Sequence, residues 1–567
     1  MKPGPRQRHL PAIAILAVVA VVQTLLACLD NRLSPEQVRM LTARVKRHAS
    51  DRDLLREDPT FGDRGIWPKD GPLDSPFRRF LAEVMTTDTS ALRPHVALGA
   101  SAGVLALAYM CGMYVLLVRQ CRVWSLAVFV AVCSLRIVDT LGNAYWGVGA
   151  LASATGEGFF IAAAPWLVFA FLRTADRRQM ILVVAAAGLL GNAYVPGAVG
   201  LTTVLLVAYL FARRLTWRRA ALVGLCLAAV TVTLAPAWVH HVRLVQSLPA
   251  DDLTTGPRQA AEALGTGSLR VGYVPMLKNL LNLTLQVSVL ILAMVFTFVH
   301  AVRRRVRDQG FWLWSLGTAL VLAVPVHSVC LLAGALRSGP PPAINFIRAS
   351  SLALLPLYVF LAEALVALFR MLPSSRRLLR ALCALLVVAW FAGSDNVRIA
   401  RHAFLEAATM FLDEENRPAN VRRHREEDLA RSELTAMALW ARETKNTDRS
   451  SVFAIDPADG AVFRMISHRS VTAARDDVRA IYYLAPQRLG RWHQRVLDQG
   501  PMLAGKTVDA DVKGILDTWT DKAGLFRNAT AWYVVRRADE PVPKGLVEIS
   551  GKAGGWGKVY RLFKLPR

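Results

Sequence analysis

The stretch Asp51-Arg52-Asp53-Leu54-Leu55-Arg56-Glu57-Asp58-Pro59 places four carboxylates in nine residues, between two long apolar runs at 10–29 and 95–118. A run of that length spans hydrocarbon as a helix. The acidic stretch therefore belongs to a loop, 30–94, that leaves one membrane span and returns into the next. The loop carries an amphipathic helical pattern over 35–46, then the acidic cluster, then Phe61-Gly62-Asp63, then Pro76-Phe77-Arg78-Arg79-Phe80-Leu81 leading into a second short helix. A connection with its own helices is a structural unit, not a linker.

Further apolar runs fill the chain up to residue 393 and are absent beyond it. The spans expected are 10–29, 95–118, 124–141, 157–172, 180–193, 197–212, 220–239, 279–302, 311–335, 350–369 and 381–393, about eleven in all. Short cytoplasmic loops concentrate Lys and Arg, and alternate connections do so here. They hold Arg6 and Arg8, Arg119 and Arg122, Arg173 and Arg177, Arg213 and Arg218, Arg303 to Arg307, and Arg370 to Arg380. The N-terminus is then cytoplasmic. An odd span count puts loop 30–94, loop 240–278 and everything after 393 on the extracytoplasmic face.

The sequence is 54% hydrophobic, with a mean hydropathy of +0.33 and a net charge of +26. Hydropathy implies a membrane part plus a soluble part. Much of the positive excess sits in the short loops, so it is read as topology and not as nucleic-acid binding. Leu25-Leu26-Ala27-Cys28 loosely resembles a lipoprotein cleavage box, but Leu26 fits poorly and the apolar run is long enough to remain an anchor. All seven cysteines lie within or beside apolar runs, and they form neither a disulfide framework nor a CxxC metal motif.

Polar groups within or at the ends of spans are the site candidates. Arg136 and Asp139 share a helical face, where an ion pair fixing the span and a functional role are both open. Glu157 opens the fourth span, where it suits the helix N-terminus or a substrate contact. Asn192-Ala193-Tyr194-Val195-Pro196-Gly197 is a tight outer turn, with Tyr194 a possible substrate contact. His240, His241 and Arg243 leave the seventh span on the outer face; adjacent histidines point apart on a helix, so no metal is assigned to them. Arg348, at the outer mouth of the tenth span, suits a phosphate held bidentately or snorkelling to lipid headgroups.

Residues 394–567 suffice for a core of their own. A helical region over 398–445, with a polar break at 413–427, precedes strand patterns at 451–455, 470–474, 530–536, 546–550 and 558–563. Helical patterns cover 486–499 and 509–522, and Gly551 to Gly557 reads as a hairpin turn between the last two strands. The expected whole is a mainly α, polytopic transmembrane bundle, 1–393, with a C-terminal extracytoplasmic α/β domain, 394–567. In that domain Arg464, Arg469, Arg491 and Arg495 beside Trp492 form either a grip for an anionic glycan or headgroup, or an internal Arg and aromatic packing network.

This arrangement resembles the C superfamily of polytopic glycosyltransferases, in particular poorly characterised bacterial members. Asp53-Leu54-Leu55, Glu57-Asp58-Pro59 and Phe61 are similar to an Asp-x-Leu-Tyr-x-x-Asp-Pro-Phe stretch in such proteins, although Leu55 replaces the aromatic. Arg348 falls where they carry an Arg before a late span, while the 192–197 turn lacks their His. Val462-Phe463-Arg464-Met465-Ile466-Ser467-His468-Arg469 and Arg491-Trp492-His493-Gln494-Arg495 are similar to their Phe-Arg-x-x-Ser-x-Arg and Trp-x-x-Arg signatures.

The resemblance implies transfer of a sugar from a polyprenyl-phosphate donor to an extracytoplasmic glycan or lipid acceptor, in a multi-pass plasma membrane. It implies Asp58 as the base for the acceptor hydroxyl, with Glu57 and Asp53 beside it, and Arg348 and Arg243 on the donor phosphate. Glu157, Tyr194, Arg464, Arg469 and Trp492 stand as further substrate contacts. No cofactor or metal is assigned, since Asp51 and Asp53 would have to converge past Arg52 to share an ion. Two other classes remain open. A transporter or flippase of lipid-linked or anionic substrates needs neither the long loop nor the outer domain, and a non-enzymatic assembly or sensory protein needs only the α/β domain.

Overall fold

The computed structural model describes residues 9–30, 38, 41–44, 55, 57–61, 94–135, 151, 155–174, 176–212, 215–247, 288–301, 308–330, 346–371, 377–378, 381, 385, 394–478, 481, 489–503, 526, 528–540, 546–549 and 555–565. The first part is helical: α1 (Leu10–Asp30), α2 (Pro94–Cys121), α3 (Trp124–Cys133), α4 (Gly156–Arg173), α5 (Arg177–Gly191), α6 (Val195–Phe211), α7 (Trp217–Ser247), α8 (Ser288–Ala301), α9 (Gln309–Val321) and α10 (Ser350–Met371). Among the described residues six helices are long and apolar enough to cross a membrane, carried by α1, α2, α4, α7, α9 with its extension to Cys330, and α10. The chain is a membrane protein. A helix stands at each of the first ten expected span positions, and the eleventh, 381–393, lies largely outside the described residues.

The direction of each helix follows from a few contacts. His9, just before α1, meets the Tyr114 hydroxyl late in α2 at 2.6 Å, while Gly103, early in α2, lies against Ala20 and Thr24, late in α1. The two helices are therefore antiparallel. At one end of the bundle Arg119 of α2 pairs with Asp308, just before α9, at 3.0 Å and donates to the carbonyl of Leu172, near the end of α4, at 3.0 Å. This is the arginine-rich end. Loop 30–93 departs from and returns to the opposite end, where α4 also begins.

Small residues and one amide let the helices close up at that opposite end. A Cβ on Gly156 would overlap the carbonyl oxygen of Ala193, so the start of α4 packs directly on the 192–194 turn. Asn192 then reaches into α7. Its Nδ2 donates to Thr233 O at 2.9 Å and its Oδ1 accepts from Ala237 N at 3.1 Å. An uninterrupted helix pairs those two backbone groups with each other, and Pro236 disturbs that turn. What read in sequence as turn punctuation is also a repair of a helix break.

After residue 394 come α11 (Asp395–Ala408), α12 (Ala419–Arg442), β1 (Val452–Ala454), α13 (Pro457–Ser467), β2 (Ser470–Val471), α14 (Leu489–Leu503), β3 (Trp532–Arg537), β4 (Val547–Ile549) and β5 (Tyr560–Lys564). All five expected strands form, in one sheet of order β2-β1-β3-β5-β4. Strands β2, β1 and β3 are parallel, and β3, β5 and β4 are antiparallel. Strand β1 is buried on both faces, as a central parallel strand should be. Phe453, Tyr533 and Leu562 pack on the α12 and α13 side, while Val452, Val534 and Phe563 pack on the other with Phe526 and Leu503. The polar break is shorter than expected, because Pro418 already caps α12. The helix expected at 509–522 and the pair Arg136 and Asp139 lie outside the described residues.

Replacing Asn192 with Ala leaves the Thr233 carbonyl and Ala237 N–H without this partner, at a cost of about 1–3 kcal/mol. The thermal inactivation midpoint in detergent should fall. The additional change Pro236→Ala lets the two groups pair within α7, so the double variant should be less destabilised than the sum of the singles.

Candidate functional site

Two polar clusters hold half of the expected site residues. The first lies at the end of the bundle from which loop 30–93 leaves. Glu157 stands in the first turn of α4, Tyr194 immediately precedes α6, and Arg348 sits in a 3-10 turn, Phe346–Ala349, leading into α10. Arg348 Nη1 donates to Glu157 Oε2, the Tyr194 hydroxyl donates to Glu157 Oε1 at 3.2 Å, and the guanidinium lies 5.8 Å from the centre of the Tyr194 ring. Three residues from distant parts of the sequence thus converge. Pro196 presets the first turn of α6, and a Cβ on Gly197 would strike the rings of Tyr194 and Phe160.

Arg348 and Tyr194 line an open cavity, walled by Tyr109, Phe160, Ile161, Ala164, Pro196, Gly197, Ala349, Ser351, Leu352 and Leu355. Its walls are mostly apolar, with Arg348, Tyr194, Tyr109 and Ser351 supplying the polar side chains. Arg348 is the cation among its described lining residues, and its side chain is 23% exposed. A guanidinium has five N–H donors, enough to hold a carboxylate and a phosphate oxygen together.

The second cluster joins the loop to the sheet-bearing part. Asp58 is buried. Its Oδ1 accepts from the backbone N–H of Thr60 and Phe61, each at 2.9 Å, and from Arg464 at 3.2 Å, while Oδ2 accepts from Val471 N at 3.2 Å. Arg464, from α13, also grips Asp477 through two bonds of 2.7 and 2.8 Å, and the Phe61 ring covers it at 4.6 Å. Thr60 Oγ1 completes the group by donating to Asp477 at 2.7 Å. Burial acts to lower the Arg464 pKa, but the carboxylates of Asp477 and Asp58 outweigh it and hold the guanidinium above its ordinary value.

These positions change the expected roles. The resemblance implied Asp58 as the base; it is a buried anchor whose oxygens are engaged, and it is not among the described residues that line the cavity with Arg348. Glu57 is likewise buried and accepts from Asn528 Nδ2 at 2.9 Å. Asp53 lies outside the described residues, as does the side chain of Arg243, which belongs to α7. Of the two readings for the C-terminal arginines, internal packing matches the geometry. Arg469 donates to Thr447 Oγ1 at 2.9 Å and to the carbonyls of Thr447 and Arg442; burial and nearby Arg449 push it down to about 10. Trp492 donates to Ala474 O at 3.2 Å, and Arg495 to Thr472 O at 3.1 Å. Asp477 went unnoticed in the sequence, where nothing links it to residues 58 and 60.

No protein-family model matches the chain, and no curated protein matches it in sequence. Solved structures match in fold. The oligosaccharyltransferase of Archaeoglobus fulgidus in its apo form superposes with a TM-score of 0.50 at 12% identity, over 94% of this chain and 70% of that one. The same enzyme tethered to an acceptor peptide containing the NVT sequon gives 0.50 at 12% identity over the same shares, 94% and 70%. Its complex with an inhibitory peptide and a dolichol-phosphate gives 0.49 at 13% identity, over 94% and 70%. At such identity the likeness is one of fold. It agrees, as a fold, with the resemblance read from the sequence.

Removing one member of a buried ion pair costs about 3–5 kcal/mol, so Asp58→Ala should lower the thermal midpoint and raise hydrogen exchange at both 57–61 and 470–478. Unchanged exchange at 470–478 would mean that the loop is not tethered there. A second prediction concerns His468, which caps α13 at φ 57. Burial, then Arg442 and Arg469, lower its pKa from 6.5 to about 4. The folded state then binds fewer protons than the unfolded one between these values. Stability is present above about pH 6.5 and should decline by on the order of 3 kcal/mol as the pH falls toward 4. His468→Asn, which tolerates the left-handed backbone, should flatten that part of a stability profile against pH.

Proposed function

We propose that this protein is an integral membrane glycosyltransferase that moves a sugar from a polyprenyl-phosphate-linked donor to an extracytoplasmic acceptor. The observation that carries the reading is the convergence of Arg348, Glu157 and Tyr194 at an apolar cavity in a bundle with an oligosaccharyltransferase fold. A donor of this class has one anionic phosphate attached to a long apolar chain. A guanidinium at the edge of an apolar cavity complements both.

In this reading the acceptor oxygen bonds to the anomeric carbon as the bond from that carbon to the phosphate oxygen breaks. The lipid phosphate leaves with the bonding pair, and Arg348 offsets its developing charge where water is scarce. Glu157 and Tyr194 position the guanidinium. The acceptor proton passes to a loop carboxylate. Asp58 and Glu57 are committed to anchoring the loop, so the role falls to Asp53, the remaining residue of the expected three.

The reading places this chemistry outside the cytoplasm. In support, loop 30–93 and the Glu157 end of α4 lie at the end of the bundle away from Arg119 and Asp308. By the charge rule the arginine-rich end is cytoplasmic. The α/β part, 394–567, is proposed as a separate domain that holds the loop in place.

Membranes containing the protein, supplied with labelled polyprenyl-phosphate sugars, should transfer the label. Arg348→Ala should reduce the rate by roughly 100-fold or more. Arg348→Lys should recover only part of it, since a point charge does not reproduce the planar fork. Asp53→Asn should abolish transfer without lowering the thermal midpoint, unlike Asp58→Ala. Full activity in Arg348→Ala, or absence of donor binding by the wild type, would overturn the assignment.

A further inference from the structure

Helix α11 shows a face that the fold leaves uncovered. Val397, Ala400, Phe404, Ala407, Ala408 and Phe411 are all exposed, Phe404 at 71% and Phe411 at 86%. At about 100° per residue the five within α11 fall in a stripe about 100° wide, and the chain continues at its end into exposed Met410, Phe411 and Leu412. Glu406 projects from the opposite side, and exposed Arg398 and Arg401 flank the stripe. The helix is too short, at 14 residues, and too charged to cross a bilayer.

Its neighbours identify the occupant. Helix α11 packs against α1, whose outer side exposes Ile13, Val18, Val21, Val22 and Leu25, a surface suited only to hydrocarbon. It also joins α12, where His402 stacks on His424 at 5.2 Å between ring centres. One side of α11 is thus fixed to a membrane helix and another to the sheet-bearing part. We infer that α11 lies along the membrane surface, with Val397, Phe404 and Phe411 in the acyl boundary and Arg398 and Arg401 at the level of lipid phosphates. An exposed apolar stripe on a helix packed against the membrane helix α1 is buried by the same bilayer, and arginines on its flank reach headgroups with their stems in the apolar layer. The consequence is mechanical. The helix sets the height of the α/β part over the bundle.

The test uses the full-length protein in phosphatidylcholine–phosphatidylglycerol nanodiscs, with Phe404→Cys, Phe411→Cys or Glu406→Cys carrying a nitroxide. Unsubstituted protein taken through the same labelling gives the background from its own cysteines. Collision with oxygen relative to an aqueous nickel complex should be roughly threefold or more higher at 404 and 411 than at 406. Equal ratios at the three positions would overturn the inference. So would low oxygen access at 404 together with dipolar broadening between two copies, which would identify a second chain as the occupant. Labels replace single exposed side chains, so folding is preserved, and the thermal midpoint of each labelled protein verifies it.

Discussion

The structure depends on one buried cation. Arg464 has no exposed side-chain surface and lies between two carboxylates that come from positions 406 and 13 residues away in sequence. An isolated guanidinium in such a place would carry a heavy desolvation cost. Two carboxylates around it leave one net negative charge, which the N–H groups of Thr60, Phe61 and Val471 and the Thr60 hydroxyl stabilise. Each member is unfavourable without the others. The loop is therefore held tightly or released as a whole, and Val38, packed with Met437 and Phe453, adds an apolar attachment to the same body.

This tether also joins one end of the bundle to the sheet-bearing part. The loop leaves α1 and enters α2 at one end of the bundle, and it is bound to the sheet-bearing part. That part must sit at the same end. The Glu157 end of α4 lies there too, so loop, cavity and α/β part share one side.

The sequence was read best where local physics is strong. Apolar length located the helices, and short strand-like runs set between helical patterns and turn residues located all five strands. Glu157, Tyr194 and Arg348 each stood out as polar residues at span ends, but 191 residues separate Glu157 from Arg348, and no local pattern encodes their contact. Asp58 shows the opposite failure. Its cluster of charge suggested an exposed, reactive loop, while burial and pairing are set by Arg464 and Asp477, far along the chain. Charge density in a sequence reports electrostatic importance. It does not distinguish an anchor from a base.

The same distinction bears on Arg348. A guanidinium facing an apolar cavity without a counter-ion would rotate toward water or headgroups, and its position would be lost in the empty site. Glu157 prevents this by pairing with it, and Tyr194 steadies Glu157 in turn. The pair is close to neutral, so it attracts an anion less strongly than a bare cation would. In the proposed reaction, what it gains is preorganisation: donors already aimed when charge builds up on a leaving phosphate need little reorientation. An arginine held by its own carboxylate thus suits a site whose task is to stabilise charge as it appears, more than one whose task is to capture charge from solution.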